Sequence, residues 1–137
     1  MRRIVTLVGL CTLLLAACGG GEATEVPEAE QGEVLVIDSA EGRALIDEGD
    51  VLVIDVRTVE EYQEGHLVGA QNIPVEDEEL WQSRTAALDP EQPTVVYCRT
   101  GRRSELAGQM LVDAGFTEVY DLGGVTDWDP EELAVES

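Results

Sequence analysis

Apolar residues along this chain fall into short continuous runs separated by amphipathic stretches. Residues 34–37, 51–56 and 94–97 are nearly unbroken runs, the pattern of strands buried on both faces, with Asp55 the one charge inside the second. Between the first two runs, Ser39 is placed to cap a helix over 40–48 and Gly49 to end it. A strand, a helix and a strand in such quick succession predict a parallel α/β sheet. Residues 58–63 predict one or two helical turns, and 65–74 a turn-rich segment leading into another short strand. A helix is expected over 76–88, with acids in its first turn, Leu80, Trp81, Arg84 and Leu88 at helical spacing, and Trp81 in the core. Asp89-Pro90 stops it. Leu106, Ala107, Met110, Leu111 and Ala114 form one face of a last helix, which Gly115 ends. Residues 118–121 make a final strand, Leu122-Gly123-Gly124 a turn, and Trp128 closes the domain before an acidic, frayed tail.

The first residues follow a different rule. Arg2 and Arg3 precede an apolar run over 4–17, too short to span a membrane and suited to a secretory signal. Leu15-Ala16-Ala17-Cys18 resembles the lipobox of bacterial lipoproteins, which implies cleavage before Cys18 and acylation of its sulfur. The expected organisation is a signal peptide over 1–17, a flexible acidic linker over 18–32, a folded domain over 33–129 and an acidic tail over 130–137. The expected location is the cell envelope, with the domain lipid-anchored and facing the periplasm or the extracellular side.

At 137 residues the chain accommodates one domain, and its net charge of −21 argues against nucleic acid as a partner. All eight basic residues are arginines. The three cysteines divide by position: Cys11 leaves with the signal, Cys18 carries lipid, and Cys98 remains as the one free thiol. An unpaired thiol outside the cytoplasm calls for a chemical reason. With no second thiol, a dithiol redox mechanism and a cysteine-ligated zinc site are excluded; no metal or cofactor is expected. His66, the single histidine, reads as a hydrogen-bonded loop organiser, with a general base as the alternative.

The chemistry concentrates in Tyr97-Cys98-Arg99-Thr100-Gly101-Arg102-Arg103-Ser104, where a strand gives way to a helix. Backbone N–H groups converge on an anion at such a corner, and Gly101 allows the loop to curl. Arg99, Arg102 and Arg103 favour thiolate over thiol. Asp55 and Arg57 sit at the carboxyl end of a strand, where open α/β sheets place their sites, although a structural polar pair is the preferred reading.

Taken in order, Ile54-Asp55-Val56-Arg57, Glu61-Tyr62, Gly65-His66-Leu67, Asn72-Ile73-Pro74, Tyr97-Cys98 with Gly101, Arg103 and Ser104, and Leu122-Gly123-Gly124 with Trp128 resemble a single-domain rhodanese. The resemblance implies a rhodanese-like α/β fold, a central mostly parallel five-stranded sheet with helices on both faces. It implies a sulfurtransferase in which Cys98 accepts a sulfane sulfur from thiosulfate or a similar donor and passes it to a thiol or cyanide. Arg99, Thr100, Gly101, Arg102 and Arg103 are then the substrate-binding loop, with Arg103 as its brace, and Asp55, Arg57 and Ser104 support it. A cysteine phosphatase on this fold needs a loop one residue longer, with arginine where Ser104 stands. The alternative of another class is a sulfur-carrier or protein-binding module with little turnover. A monomer is the default.

Overall fold

Continuous apolar runs become the middle of a sheet. The computed structural model describes residues 24–29, 31–129 and 135–137, so the expected signal segment and Cys18 lie outside the described residues. The strands are β1 (Val34–Val36), β2 (Leu52–Asp55), β3 (His66–Leu67), β4 (Gln71–Asn72), β5 (Thr94–Cys98), β6 (Val119–Gly124) and β7 (Val135–Glu136). The helices are α1 (Ser39–Glu48), α2 (Val59–Gln63), α3 (Glu78–Thr85) and α4 (Arg102–Asp113). Five strands form one sheet in the order β1-β6-β5-β2-β4, every neighbouring pair parallel. All residues of β2 and β5 are buried, as continuous apolar runs require.

Strand alternation sorts the core into two layers. Leu52, Ile54, Val56, Val96, Cys98 and Val119 pack with Trp81 of α3 and with Ala107 and Leu111 of α4. Val53, Val95, Tyr97, Tyr120 and Leu122 pack on the other side with Leu45 of α1. Chain connections leave β2 toward α2 on one face and β5 toward α4 on the other. The carboxyl ends of β2 and β5 thus flank a point where the winding reverses, the position at which open parallel sheets form a crevice.

Several local expectations give way. Asp38, not Ser39, caps α1: its carboxylate accepts the Glu41 N–H at 2.9 Å while Glu41 accepts the Asp38 N–H at 2.9 Å, and this reciprocal box fixes the start. α3 begins later, because the Asp77 carboxylate captures the Leu80 N–H at 3.0 Å, and it ends at Thr85, short of Leu88. On α4 the buried stripe is Ser104, Ala107, Gly108 and Leu111, while Leu106 is exposed and so is Ala114. The helix turns this way because Gly108 lies where a Cβ would stand 2.9 Å from Val34 Cγ1, so its missing side chain admits β1. Residues 122–124 continue β6 instead of turning, since the ladder with β5 extends to Gly124.

Both ends of the domain are tied down more than composition suggested. The expected flexible linker is docked at 24–29: Ala29 is buried, its N–H donates to the Tyr120 hydroxyl at 3.3 Å, and Val26 packs on the same layer. The stretch runs along a cleft with Leu45, Val51, Pro93 and Glu118, at the amino ends of the strands. In the expected tail, Val135 and Glu136 pair antiparallel with Leu67 and His66.

Candidate active site

Cys98 ends the central strand, and parity turns its side chain toward α4. The register with β6 slips at this point: Val96 is opposite Asp121, but Cys98 is opposite Gly124. A bulge of this kind re-aims the side chain beside it. Residues 99–101 then close a tight loop, with Gly101 at φ +97° serving as the N-cap of α4. No L side chain sits comfortably at that angle.

The Arg99 carbonyl is held away from the sulfur, and the Gly101 N–H faces it. The Arg99 carbonyl accepts from the Thr126 N–H at 3.3 Å and from Thr126 Oγ1 at 3.1 Å. On the inner side, the Gly101 N–H donates to Cys98 Sγ at 3.0 Å. The loop lies directly against β6: a Cβ on Gly124 would stand 2.5 Å from the Arg99 oxygen and 2.5 Å from Thr100 Cα. Sγ is therefore enclosed, and Cys98 has 0% exposure. The start of α4 adds the partial positive charge of a helix N-terminus, which favours an anion on the sulfur.

The three arginines separate by role. Arg103 turns back to α2, where its two terminal nitrogens meet the Glu61 carboxylate at 2.7 and 2.8 Å, with Glu76 at 3.5 Å. The hydrogen bond from Arg103 is the main reason that Glu61 is held down to about 2; the same bond raises Arg103 further above its ordinary value. Arg99 and Arg102 are exposed and flank Gly101 on the loop. Thr100 is exposed as well, and Ser104 is fully buried, its Oγ 3.6 Å from Cys98 Sγ.

Asp55 and Arg57 form a buried pair across two residues. Arg57 Nη2 meets Asp55 Oδ2 at 2.6 Å, its Nε meets both carboxylate oxygens at 3.0 Å, and Nη2 also donates to the Gly65 carbonyl at 2.6 Å. Asn72 Nδ2 donates to the carbonyls of both. The pair fastens the segment after β2 and presents no free charge. His66 stacks on Tyr62 with ring centroids 3.6 Å apart, and its Nδ1 lies 2.9 Å from the Tyr62 carbonyl. Trp128 packs edge-on against Tyr97 and donates to the Leu122 carbonyl at 2.8 Å.

The family model described as Rhodanese-like domain matches residues 38–131. The chain belongs to the rhodanese family. Thiosulfate sulfurtransferase PspE of Escherichia coli is 40% identical over 74 residues, covering 54% of this chain and 70% of that protein. Thiosulfate sulfurtransferase GlpE of Coxiella burnetii is 34% identical over 93 residues, covering 67% of this chain and 84% of that protein. The crystal structure of the Alr3790 protein from Anabaena matches with a TM-score of 0.65 at 27% identity, over 74% of this chain and 91% of that one. The rhodanese-like α/β fold is therefore shared, with its five-stranded parallel sheet.

Sequence reasoning placed Gly124 only in a turn and a matching motif, passed over Thr126, and met Glu61 only as part of a matching motif. Thr58-x-x-Glu61 is a legible capping signal, and Glu61 does return to the Thr58 N–H at 3.1 Å. Its hold on Arg103 depends on how the sheet brings α2 beside the loop, and no local spacing encodes that.

Proposed function

We propose that this rhodanese is a sulfurtransferase that carries a sulfane sulfur on Cys98. The observation that carries the reading is the Gly101 N–H aimed at an enclosed Sγ at 3.0 Å, on a loop whose Arg99 carbonyl is turned away to Thr126. The Cys98 thiolate attacks the outer sulfur of thiosulfate or a similar donor. A new S–S bond forms as the donor's S–S bond breaks, and sulfite leaves with the bonding electron pair. A thiolate or cyanide then attacks the terminal sulfur of the Cys98 persulfide, and Cys98 departs as the thiolate. Covalent catalysis of this kind gives ping-pong kinetics. The helix terminus and the Gly101 N–H support negative charge in both resting and persulfide states. Exposed Arg99 and Arg102 draw an anionic donor toward a protein that is otherwise strongly acidic.

Intact-mass spectrometry of the chain from residue 24 onward, before and after thiosulfate, tests this directly. A gain of one sulfur, about 32 Da, removed by cyanide and missing from Cys98→Ser, is the expected result. No adduct from thiosulfate, polysulfide or persulfide donors would leave a binding module instead. An adduct that passes to protein thiols but not to cyanide would mark a carrier.

The proposal includes a lipid anchor at Cys18, supported by Leu15-Ala16-Ala17-Cys18 after a short apolar run. Partition of the expressed full-length protein into a detergent phase, lost in Cys18→Ala, is the expected outcome. Equal partition of both forms into the aqueous phase would remove the anchor from the reading.

A further inference from the structure

A Cys98 persulfide carries a second sulfur, and that sulfur needs a donor the resting site does not already spend. The Gly101 N–H is taken up by Sγ at 3.0 Å, and the outer sulfur stands about 2.0 Å beyond Sγ. The Ser104 hydroxyl is turned to the Gly101 carbonyl at 2.9 Å. The next polar group along the loop is the Thr100 N–H, which has no acceptor among the described residues.

The direction of that N–H is set by Thr126, 27 residues beyond Arg99. Peptide bonds of the described residues are all trans, and a planar trans peptide points its N–H opposite its carbonyl. The Arg99 carbonyl accepts the Thr126 N–H at 3.3 Å and Thr126 Oγ1 at 3.1 Å, so both its lone pairs are engaged. These donors lie in the 3₁₀ turn Val125–Asp127 that follows β6. With the carbonyl held there, the Thr100 N–H is directed the other way. Thr126 is exposed, and its hydroxyl has no other partner among the described residues, so the core does not require it.

We propose that Thr126 is a positioning residue for the persulfide: its grip on the Arg99 carbonyl keeps the Thr100 N–H turned to the outer sulfur of Cys98. The inference rests on the sulfurtransferase reading and deepens it. Were the peptide between Arg99 and Thr100 to flip, a carbonyl oxygen would face an anionic sulfur where an N–H had stood. The hydroxyl supplies the shorter of the two bonds, so its loss leaves that peptide on one long contact. The Gly101 N–H belongs to the following peptide and serves the resting thiolate. Thr126 therefore acts on the loaded state and leaves the free thiolate as it was.

The test compares the wild-type chain with Thr126→Val, which keeps the shape and removes the hydroxyl, and with Thr126→Ser, which restores it. Intact mass reads the ratio of persulfidated to free Cys98 at fixed proportions of thiosulfate and sulfite. Iodoacetamide alkylation at neutral pH reads the free thiolate. Thr126→Val is expected to lower the loaded-to-free ratio by about fivefold while alkylation stays within about twofold of wild type. Thr126→Ser should match wild type in both. Thr117→Val removes another hydroxyl bonded to a carbonyl, that of Pro90, at the other end of β6, and should change neither. An unchanged ratio in Thr126→Val overturns the proposal. Equal falls in loading and alkylation overturn it too, as a general loosening of the loop, and so does a serine variant as impaired as the valine one. If no donor loads the wild-type chain, the sulfurtransferase reading falls by itself, and titration with iodide followed by nitrogen-15 NMR decides the positioning role. Iodide, a soft anion without transferable sulfur, should shift the Thr100 amide of wild type and shift it less in Thr126→Val, with the Gly101 amide responding in both. No Thr100 response in wild type, or the same response in both chains, overturns the proposal.

Discussion

Arg103 grips Glu61 with both terminal nitrogens, at 2.7 and 2.8 Å, and so ties the loop around Cys98 to a helix 42 residues earlier in the chain. A forked contact of this kind fixes direction as well as distance. Arg103, the second residue of α4, is thereby committed to architecture, and Arg99 and Arg102 are left exposed to solvent.

Replacing Arg103 with lysine keeps the charge and loses the fork. Persulfide formation from thiosulfate is expected to slow by about tenfold, roughly 1.4 kcal/mol in the barrier, because the loop loses its orientation. Stopped-flow or rapid-quench mass measurement on Arg103→Lys checks this. A wild-type rate would show that the loop holds its shape without the brace.

The same pair gives a pH dependence with a defined sign. Unfolded Glu61 takes up a proton near its ordinary value of 4.5, whereas in the fold it does so only at about 2. Between those values the unfolded state binds more protons, so the pair's contribution is complete above about pH 5 and drains away as the pH falls toward 2. Urea unfolding from pH 7 to 3 is expected to show a steeper loss for wild type than for Glu61→Gln. Parallel curves would detach Glu61 from acid sensitivity.

Gly124 and Gly108 offer a controlled comparison. A Cβ at 124 would meet the backbone of Arg99 and Thr100 at 2.5 Å, whereas one at 108 would meet the side-chain tip of Val34 at 2.9 Å. Gly124→Ala is expected to cost about 1–3 kcal/mol of stability and most of the sulfur-transfer rate, since the backbone that must move is the reactive loop. Gly108→Ala should keep the rate, because only β1 shifts. Equal rate losses in the two variants would contradict this division.

Asp55→Asn removes the buried partner of Arg57 while keeping its size. Leaving an arginine uncompensated in the interior is expected to cost about 3–5 kcal/mol, read as a lower urea midpoint. Asp47→Asn, in an exposed pair with Arg43, is the surface control and should shift the midpoint little. A similar shift in both would deny the Asp55 pair any special weight.

The fold was legible where burial and period coincide. The runs at 51–56 and 94–97 are strands because the chain offers no polar face there, and Gly49 and Gly115 end helices at φ +86° and +98° as their positions suggest. The Cys98 loop was legible because a cysteine, a glycine and arginines leave few other uses for that spacing. What remained hidden depends on distant chain. Glu61 meets Arg103, and Gly124 makes room for Thr100, only once the sheet has assembled in the order 1-6-5-2-4. Docking of 24–29 was invisible for a related reason: its small and acidic residues carry no period, and Tyr120 supplies the partner from the far end of the sequence.

That docking gives the molecule a mechanical polarity. The segment 24–29 is fastened at the amino ends of the strands, while Cys98 sits at the carboxyl end of the central one. A tether pulling on the chain ahead of residue 24 therefore bears on the floor of the sheet, and the reactive loop points the opposite way. For a domain held at a surface by that end, the sulfur is carried on the outermost side, at the full height of the sheet, where an acceptor arrives without passing beneath the protein.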